Sequence, residues 1–428
     1  MGGRMQAKKH LETTKSASAL IKKYYADQQE KQAKDGQPLA WCCVGIPKQI
    51  LQALDILAFY PEQYATVCAS RGASEKFIKP AETAGFAKEL CGYARVVTGF
   101  IMEGLPEDAP MGGIPKPDFL LITSIVCDTR IKWFELMGEM LGVPVHLMEV
   151  PQMPPAGRLG PEGSKIDTDK AGIQVGREDA PHLEGYAMAE YQGLIQFLEE
   201  QTGRKLDPQK LFDIQKASSK VGKLRREINE YRKHIPTPMG AGDAFSAMFP
   251  GMYMPGTKEA DDFYERLRNE VRQRIENKIG IVDPEQFRLA WSGIPFWYNL
   301  GLINYFETKG GVVVIDTQYG SSATSINEDT RQPERWGMNG MVASVVRAVV
   351  DYKLDGVILS YTPTCRALYV NQMEIKNTLE EELGVPSLLL ESDMVDPSSF
   401  NEGQILTRID AFIELVTERA KHREWMED

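Results

Sequence analysis

The sequence predicts an α/β protein: two doubly wound parallel-sheet domains, a helical middle segment and an N-terminal helix. Three observations lead there. First, one segment occurs twice. Residues 117–150 read PDFLLITSIVCDTRIKWFELMGEMLGVPVHLMEV, and residues 355–392 read DGVILSYTPTCRALYVNQMEIKNTLEEELGVPSLLLES. Each copy runs apolar strand, short loop, cysteine, helix-period stretch, Leu-Gly-Val-Pro and a second apolar strand. Second, strand-like runs alternate with helical ones, which argues for parallel sheets of the Rossmann or flavodoxin kind. Third, 428 residues are too many for one ordinary core.

The elements follow in order. Residues 5–35 have helical composition and close at Asp35-Gly36, so residues 1–36 form the N-terminal helix. The first α/β domain covers 37–181. PLAWCCVGI (38–46) reads as a buried strand, KQILQALDIL as a helix, and residues 80–104 as a helical stretch around Cys91. Residues 151–181 hold many Pro, Gly and charged residues and form a long insertion. The helical segment covers 182–286, with amphipathic helices over 182–235 and 257–280 and TPMGAGDAFSAMFPGMYMPG as a turn-rich connector. The second α/β domain, 287–428, supplies four strands in RLAWSGIPFW, GGVVVIDTQ, DGVILSY and PSLLLES. A C-terminal helix over 402–424 repeats apolar residues at Ile405, Ile409, Phe412, Ile413 and Val416.

Composition excludes several partners. Net charge is −11 and no long basic run occurs, so nucleic acid and an anionic membrane are poor partners. No apolar run is long enough to span a bilayer, and the polar N-terminus MGGRMQAKKHLETTKS does not read as a signal peptide. A cytoplasmic location is expected. Six cysteines in such a chain are free thiols or metal ligands rather than a disulfide framework.

Three cysteines have settings that suggest ligation. Cys127 and Cys365 open the helices of the repeat, at the carboxyl edge of a sheet where open α/β folds place ligands. A helix N-terminus there favours the thiolate. Cys91, in KELCGYARV, precedes a glycine that permits close backbone approach. Each also fits a buried thiol packing as a small hydrophobe, but the duplicated setting favours ligation at Cys127 and Cys365. Cys42 and Cys43 point to opposite faces of a strand and read as structural, as does Cys68. His10, His146, His182, His234 and His422 are scattered without zinc spacing. GRLGPEGSK does not satisfy the phosphate-loop pattern, so any ATP-dependent step needs a separate protein.

Further segments carry a resemblance. YPEQYA with SRGASE, AGFAKELCGYARV, CDTRIKWFE, WSGIPFW, TCRALYVNQ and LGVPSLLLESDMVDPSSFNEGQILTRIDAF occur in this order. From about Trp41 to the C-terminus, the chain resembles the 2-hydroxyacyl-CoA dehydratase and benzoyl-CoA reductase family. The resemblance implies a low-potential iron–sulfur enzyme, a lyase or oxidoreductase. Cys91, Cys127 and Cys365 would hold a cluster with one open iron. The cluster would be [4Fe-4S] per chain or, as in the double-cubane proteins of the same superfamily, a bridged [8Fe-9S] per homodimer. Implied partners are a homologous subunit, an ATP-hydrolysing iron–sulfur activator and an acyl-CoA or other small substrate. Glu62 matches a carboxylate beside the cluster, with a role in proton handling.

One position departs from the family pattern. The substrate-binding dehydratase subunit has a serine three residues after the tryptophan that aligns with Trp41; here it is Val44, which has no hydroxyl. This counts against 2-hydroxyacyl dehydration by this subunit. Three readings stay open: a benzoyl-CoA-reductase-like catalytic or relay subunit, the electron-relay partner of a dehydratase, and a double-cubane homodimer reducing small molecules. Lys48, Arg71, Lys76, Arg130 and Lys132 are candidate contacts for CoA phosphates, and Arg130 and Arg366 follow their cysteines closely enough to tune a cluster by charge.

Overall fold

Short, largely apolar runs build two four-stranded sheets in the computed structural model, and several of them, such as Phe119–Thr123 and Gly311–Asp316, are wholly buried. It describes residues 8–150, 180–320, 326–327, 332–333 and 338–422. Most of the expected insertion at 151–181 lies outside the described residues. The first sheet holds β1 (Leu39–Cys42), β2 (Leu57–Phe59), β3 (Phe119–Thr123) and β4 (Val145–Met148) in the order β2-β1-β3-β4. The second holds β5 (Phe287–Ser292), β6 (Gly311–Asp316), β9 (Gly356–Tyr361) and β10 (Ser387–Glu391) in the order β10-β9-β5-β6. Between them in sequence, β7 (Ile326–Asn327) and β8 (Gln332–Pro333) form a small antiparallel pair. Every pairing within the two large sheets is parallel.

The two sheets share one topology. In each the chain starts on an inner strand, moves to one edge, returns across the first strand and ends on the other edge. β1, β2, β3 and β4 correspond to β5, β6, β9 and β10. The sequence repeat is therefore the second half of a longer structural duplication. Both sheets have a switch point, between β1 and β3 and between β5 and β9, where neighbouring connections leave in opposite directions and open a crevice at the strands' carboxyl ends.

The helical middle is longer and more regular than expected. It contains Ala180–Thr202, Pro208–Tyr231, Ala241–Tyr253 and Lys258–Glu276. Ala241–Tyr253 replaces the expected turn-rich connector. Its glycines and Pro250 mislead locally; burial of Phe245, Ala247, Phe249 and Tyr253 holds it helical. The Asp243 side chain in its first turn accepts the backbone N–H groups of His10 and Leu11, tying down the N-terminal arm. Another difference is the break in the 80–104 pattern: separate helices span Ser74–Thr83 and Gly92–Met102, and Cys91 caps the second. Strand β2, only three residues long, carries no sequence signal of its own.

Buried arginines pin the middle segment to the second sheet. Arg288 on β5 donates to the Tyr352 carbonyl at 2.8 Å and to Thr237 Oγ1 at 2.8 Å, with Glu285 as its counter-charge at 2.5 Å. Arg232 donates to the carbonyls of Met239 and Val314. The first middle helix instead packs on the first sheet, with Phe197 against Phe119 and His146. Among the described residues no helix is long and apolar enough to cross a membrane.

The tightest helix contact tests this packing. A Cβ on Gly99 would lie 1.7 Å from the Phe77 carbonyl oxygen, a backbone atom that cannot swing away. Gly99→Ala is expected to cost about 3 kcal/mol or more through overpacking, read as a lower urea midpoint with an unchanged slope.

Candidate functional site

All three candidate cysteines sit at helix starts. Cys91 precedes Gly92–Met102, Cys127 precedes Asp128–Leu141, and Cys365 precedes Arg366–Tyr369. Cys127 follows β3 and Cys365 follows β9, the corresponding strands of the two halves. These three are half-buried, whereas Cys42, Cys43 and Cys68 are fully buried; all six are free. Burial pushes the Cys91 thiol up, and Cys365 and Cys127 add to that as neighbouring negative charges. Burial likewise pushes Cys365 up to about 11, again with Cys127 as a neighbour. Burial also raises Cys127, where Arg130 opposes it. No cap hydrogen bond of ordinary geometry forms at these helix starts. Even so, the amides of Ala94, Arg130 and Leu368, each three residues past its cysteine, favour the thiolate. The three cysteines singled out in the sequence are thus half-buried at helix starts and within electrostatic reach of one another, and the other three lie in the core. Among the described residues, no three His, Cys, Asp or Glu side chains are placed to hold a single metal ion.

A buried charge cluster lies behind the thiols. Arg95, one helical turn past Cys91 and 1% exposed, donates to Glu82 at 2.7 Å and to Asp396 at 2.9 Å, with Asp393 at 3.7 Å. Asp393 also accepts from Thr364, the residue before Cys365, at 2.5 Å and from the amides of Val395 and Asp396. One arginine of the first half therefore holds the loop after β10 in the second, and Asp393 of that loop is bonded to Cys365's neighbour. Burial pushes Asp393 up, whereas hydrogen bonds from Ser398 and Arg95 overcome burial and hold Asp396 below the usual carboxylate range. Gly92 makes this approach possible: a Cβ there would meet Asp393 Oδ1 at 2.3 Å and Val395 Cγ2 at 2.7 Å. At the surface Arg366 pairs with Asp128, joining the residues that follow Cys365 and Cys127.

Glu62 lies in the first turn of Pro61–Ser70 and is buried. Its Oε1 accepts from Arg130 Nε at 2.8 Å, and its Oε2 accepts the Val44 amide at 2.9 Å. Arg130 also donates to the carbonyls of Val44 and Ile125 at 3.2 and 2.9 Å. Burial alone would lower Arg130; Glu62 overrides it and holds the guanidinium above its ordinary value. Arg130 is thus committed to the site's interior and is no phosphate contact. Lys48 is also occupied. Its ammonium lies 5.1 and 4.6 Å from the ring centroids of Tyr60 and Tyr253 and donates to the Met252 carbonyl. Burial pushes it down to about 8. Lys132 is exposed and paired with Glu135.

Residues not singled out in the sequence complete the surroundings. Arg95 and Asp393 carry the junction. Trp297 donates to the Tyr93 hydroxyl at 2.7 Å, and Tyr319 packs against Trp297 with ring centroids 5.9 Å apart. Tyr93 stands two residues after Cys91 and Trp297 closes WSGIPFW, so both fall inside the segments that carry the family resemblance.

The sequence pattern of the family described as 2-hydroxyglutaryl-CoA dehydratase, D-component, matches residues 43–416. The chain belongs to this family. It is similar to the (R)-phenyllactyl-CoA dehydratase alpha subunit of Clostridium sporogenes, 27% identical over 390 residues, 89% of this chain and 90% of that protein. The (R)-2-hydroxyisocaproyl-CoA dehydratase alpha subunit of Clostridioides difficile is 25% identical over 423 residues, 95% of this chain and 98% of that protein. A benzoyl-CoA reductase subunit of Thauera aromatica is 24% identical over 403 residues, 87% of this chain and 87% of that protein. The named members of this family are subunits of dehydratases and of a benzoyl-CoA reductase.

Removing Arg95 should be costly. Arg95→Met leaves Asp393 and Asp396 buried without their cation, a loss of roughly 3–5 kcal/mol. Chemical denaturation at pH 7 checks this, and a change below about 1 kcal/mol would show that the junction does not depend on the pair.

Proposed function

We propose that this chain is the iron–sulfur subunit of a reductase or dehydratase acting on an acyl-CoA thioester. Cys91, Cys127 and Cys365 would hold the cluster, and a separate ATP-hydrolysing iron–sulfur protein would supply the electrons. The observation that carries the reading is the convergence of three half-buried free thiols, each at a helix start and each within electrostatic reach of another. Thiolates suit iron–sulfur clusters. A donor set of three leaves one iron without a protein ligand, and separate irons need separate sulfurs rather than one chelating trio. When bound, the cluster would supply single low-potential electrons at an open iron.

The surrounding residues then have definite tasks. Glu62 presents a carboxylate that can hold a proton and return it, fixed in place by Arg130 and the Val44 amide. Arg95 and Gly92 set the distance between the two halves, and so between Cys91 and Cys365. Tyr60 and Tyr253 hold the Lys48 ammonium against their rings, within electrostatic reach of Glu62. Val44 offers the site only backbone groups, which favours ring or carbonyl reduction over chemistry that needs a side-chain hydroxyl at that position. The partner would be a homologous subunit, as the subunit names of the relatives suggest.

Anoxic purification with iron and sulfide analysis tests the assignment. Cys127→Ala and Cys365→Ala should lose most of the iron, whereas Cys68→Ala should keep it; equal iron in all three rules out the ligand set. Equal iron and sulfide supports an isolated cluster in each chain, whereas the same iron with one additional sulfide per dimer supports the bridged form. A separate expectation concerns Glu62→Gln. It should retain its iron and lower turnover about 10²-fold, the usual scale for losing a general acid–base group; an unchanged rate would leave Glu62 as a structural partner of Arg130.

A further inference from the structure

We infer that Lys48 is a nucleophilic lysine, placed to take an acyl group from a thioester that enters the cavity between the N-terminal helix and the edge of the first sheet. This site is separate from the proposed cluster. None of Cys91, Cys127 and Cys365 lines the cavity, and the reaction needs neither iron nor electrons.

The cavity holds about 310 Å³, enough for a small molecule. The helix Ala17–Asp35 forms one wall, and the helix Lys48–Ala53 with the edge strand β2 forms another. Leu20, Leu51 and Ile56 give it an apolar lining. Two side-chain oxygens of the lining, Gln28 Oε1 and Gln52 Oε1, are buried and accept no hydrogen bond. The Gln52 amide nitrogen donates to the Pro255 carbonyl at 2.8 Å, so this amide cannot flip without losing that bond. Buried acceptors left unpaired are costly, and a ligand that brings N–H donors relieves them.

Lys48 stands on the wall of this cavity without a counter-charge. Its nitrogen lies 5.1 and 4.6 Å from the ring centroids of Tyr60 and Tyr253, which line the cavity with it, and it donates to the Met252 carbonyl. No carboxylate among the described residues forms an ion pair with it. Besides the two phenols, Cys42, Cys43, Glu62 and Arg225 face it electrostatically, and Glu62 is committed to Arg130. The bond to Met252 uses one N–H and leaves the lone pair of the neutral amine free. Burial supplies that neutral form. With the amine pushed down to about 8, about a tenth is neutral at pH 7, against less than about 0.1% of an ordinary lysine. Desolvated lysines of this kind act as nucleophiles. Lys23 and Lys31 also line the cavity, but Lys23 is paired with Asp27 at 2.6 Å and Lys31 is exposed.

The step balances between two reactants. The Nζ lone pair attacks the thioester carbonyl carbon, the C–S bond breaks, and the proton shed by nitrogen leaves with the thiolate. The products are an Nε-acyl amide and a free thiol. A thioester whose thiol arm carries an amide also brings the N–H that the two glutamine oxygens lack. Acylation removes a cation within electrostatic reach of Glu62, so the modification changes the charge beside that carboxylate.

The test uses the full chain as isolated and S-acetyl-N-acetylcysteamine, a small thioester with one amide in its thiol arm. Peptide mass spectrometry follows acetylation at Lys48 and at Lys31 across a pH series. At pH 7 Lys48 should react about tenfold faster than Lys31 or more, and its rate should level off above about pH 8, whereas an ordinary lysine keeps gaining until about pH 10. Gln28→Trp fills the cavity and leaves the amine. It should slow acetylation at Lys48 about tenfold, because the thioester is no longer held against the nitrogen; thermal unfolding checks that the variant is folded. Lys48 reacting no faster than Lys31 overturns the inference, and so does an equal rate in the native chain and a folded Gln28→Trp. Either result leaves the acyl-CoA reading intact, because iron content and turnover do not enter the measurement.

Discussion

A single guanidinium, that of Arg95, sets the geometry on which the candidate site depends. It lies almost wholly out of water between Glu82 of its own half and Asp396 and Asp393 of the other. Burying such a charge is expensive unless every partner is in place. The two halves therefore cannot slide or rotate relative to each other without exposing an unpaired charge to a low-dielectric interior. Cys91 begins the helix that carries Arg95, and Thr364, beside Cys365, is bonded to Asp393. The spacing between these thiols is thus inherited from the ion cluster. Hydrophobic packing alone would join the halves with less angular precision, because it is not directional.

The architecture is legible in the sequence because its cause is repetitive. Two buried strand runs, a cysteine and Leu-Gly-Val-Pro recur at matched spacing, and parallel strands buried on both faces must be continuously apolar. All four expected strands of the second half occur, as do the two in the first repeat copy. Structure and expectation part where local composition and tertiary burial disagree. Ala241–Tyr253 carries Gly, Pro and Met in turn-like density, yet both of its sides pack against protein. Around Cys91 the helical periodicity runs on through a real break, because the residues on either side share one apolar face.

The site is legible in part for the same reason. Cys127 and Cys365 announce themselves as equivalents, and Cys91 by its glycine, whose missing Cβ leaves the room that the Asp393 carboxylate occupies. The pairing of distant charges leaves no such trace. Arg95 and Asp396 are 301 residues apart, and Arg130 and Glu62 are 68 apart. Arg130 is marked only by its place three residues after Cys127, and nothing marks Arg95 as other than a solvated surface charge. Arg130 reads as a phosphate contact for that reason; only the fold turns it inward.

The Arg130–Glu62 pair also defines what Val44 contributes to the site. Val44 contributes its amide to Glu62 and its carbonyl to Arg130, so the lock on the carboxylate uses backbone atoms that every residue except proline provides. The side chain at position 44 is therefore uncoupled from the scaffold. A serine and a valine hold Glu62 equally well but present different chemistry to whatever lies beside it. Position there is held by backbone, and the side chain is left to chemistry.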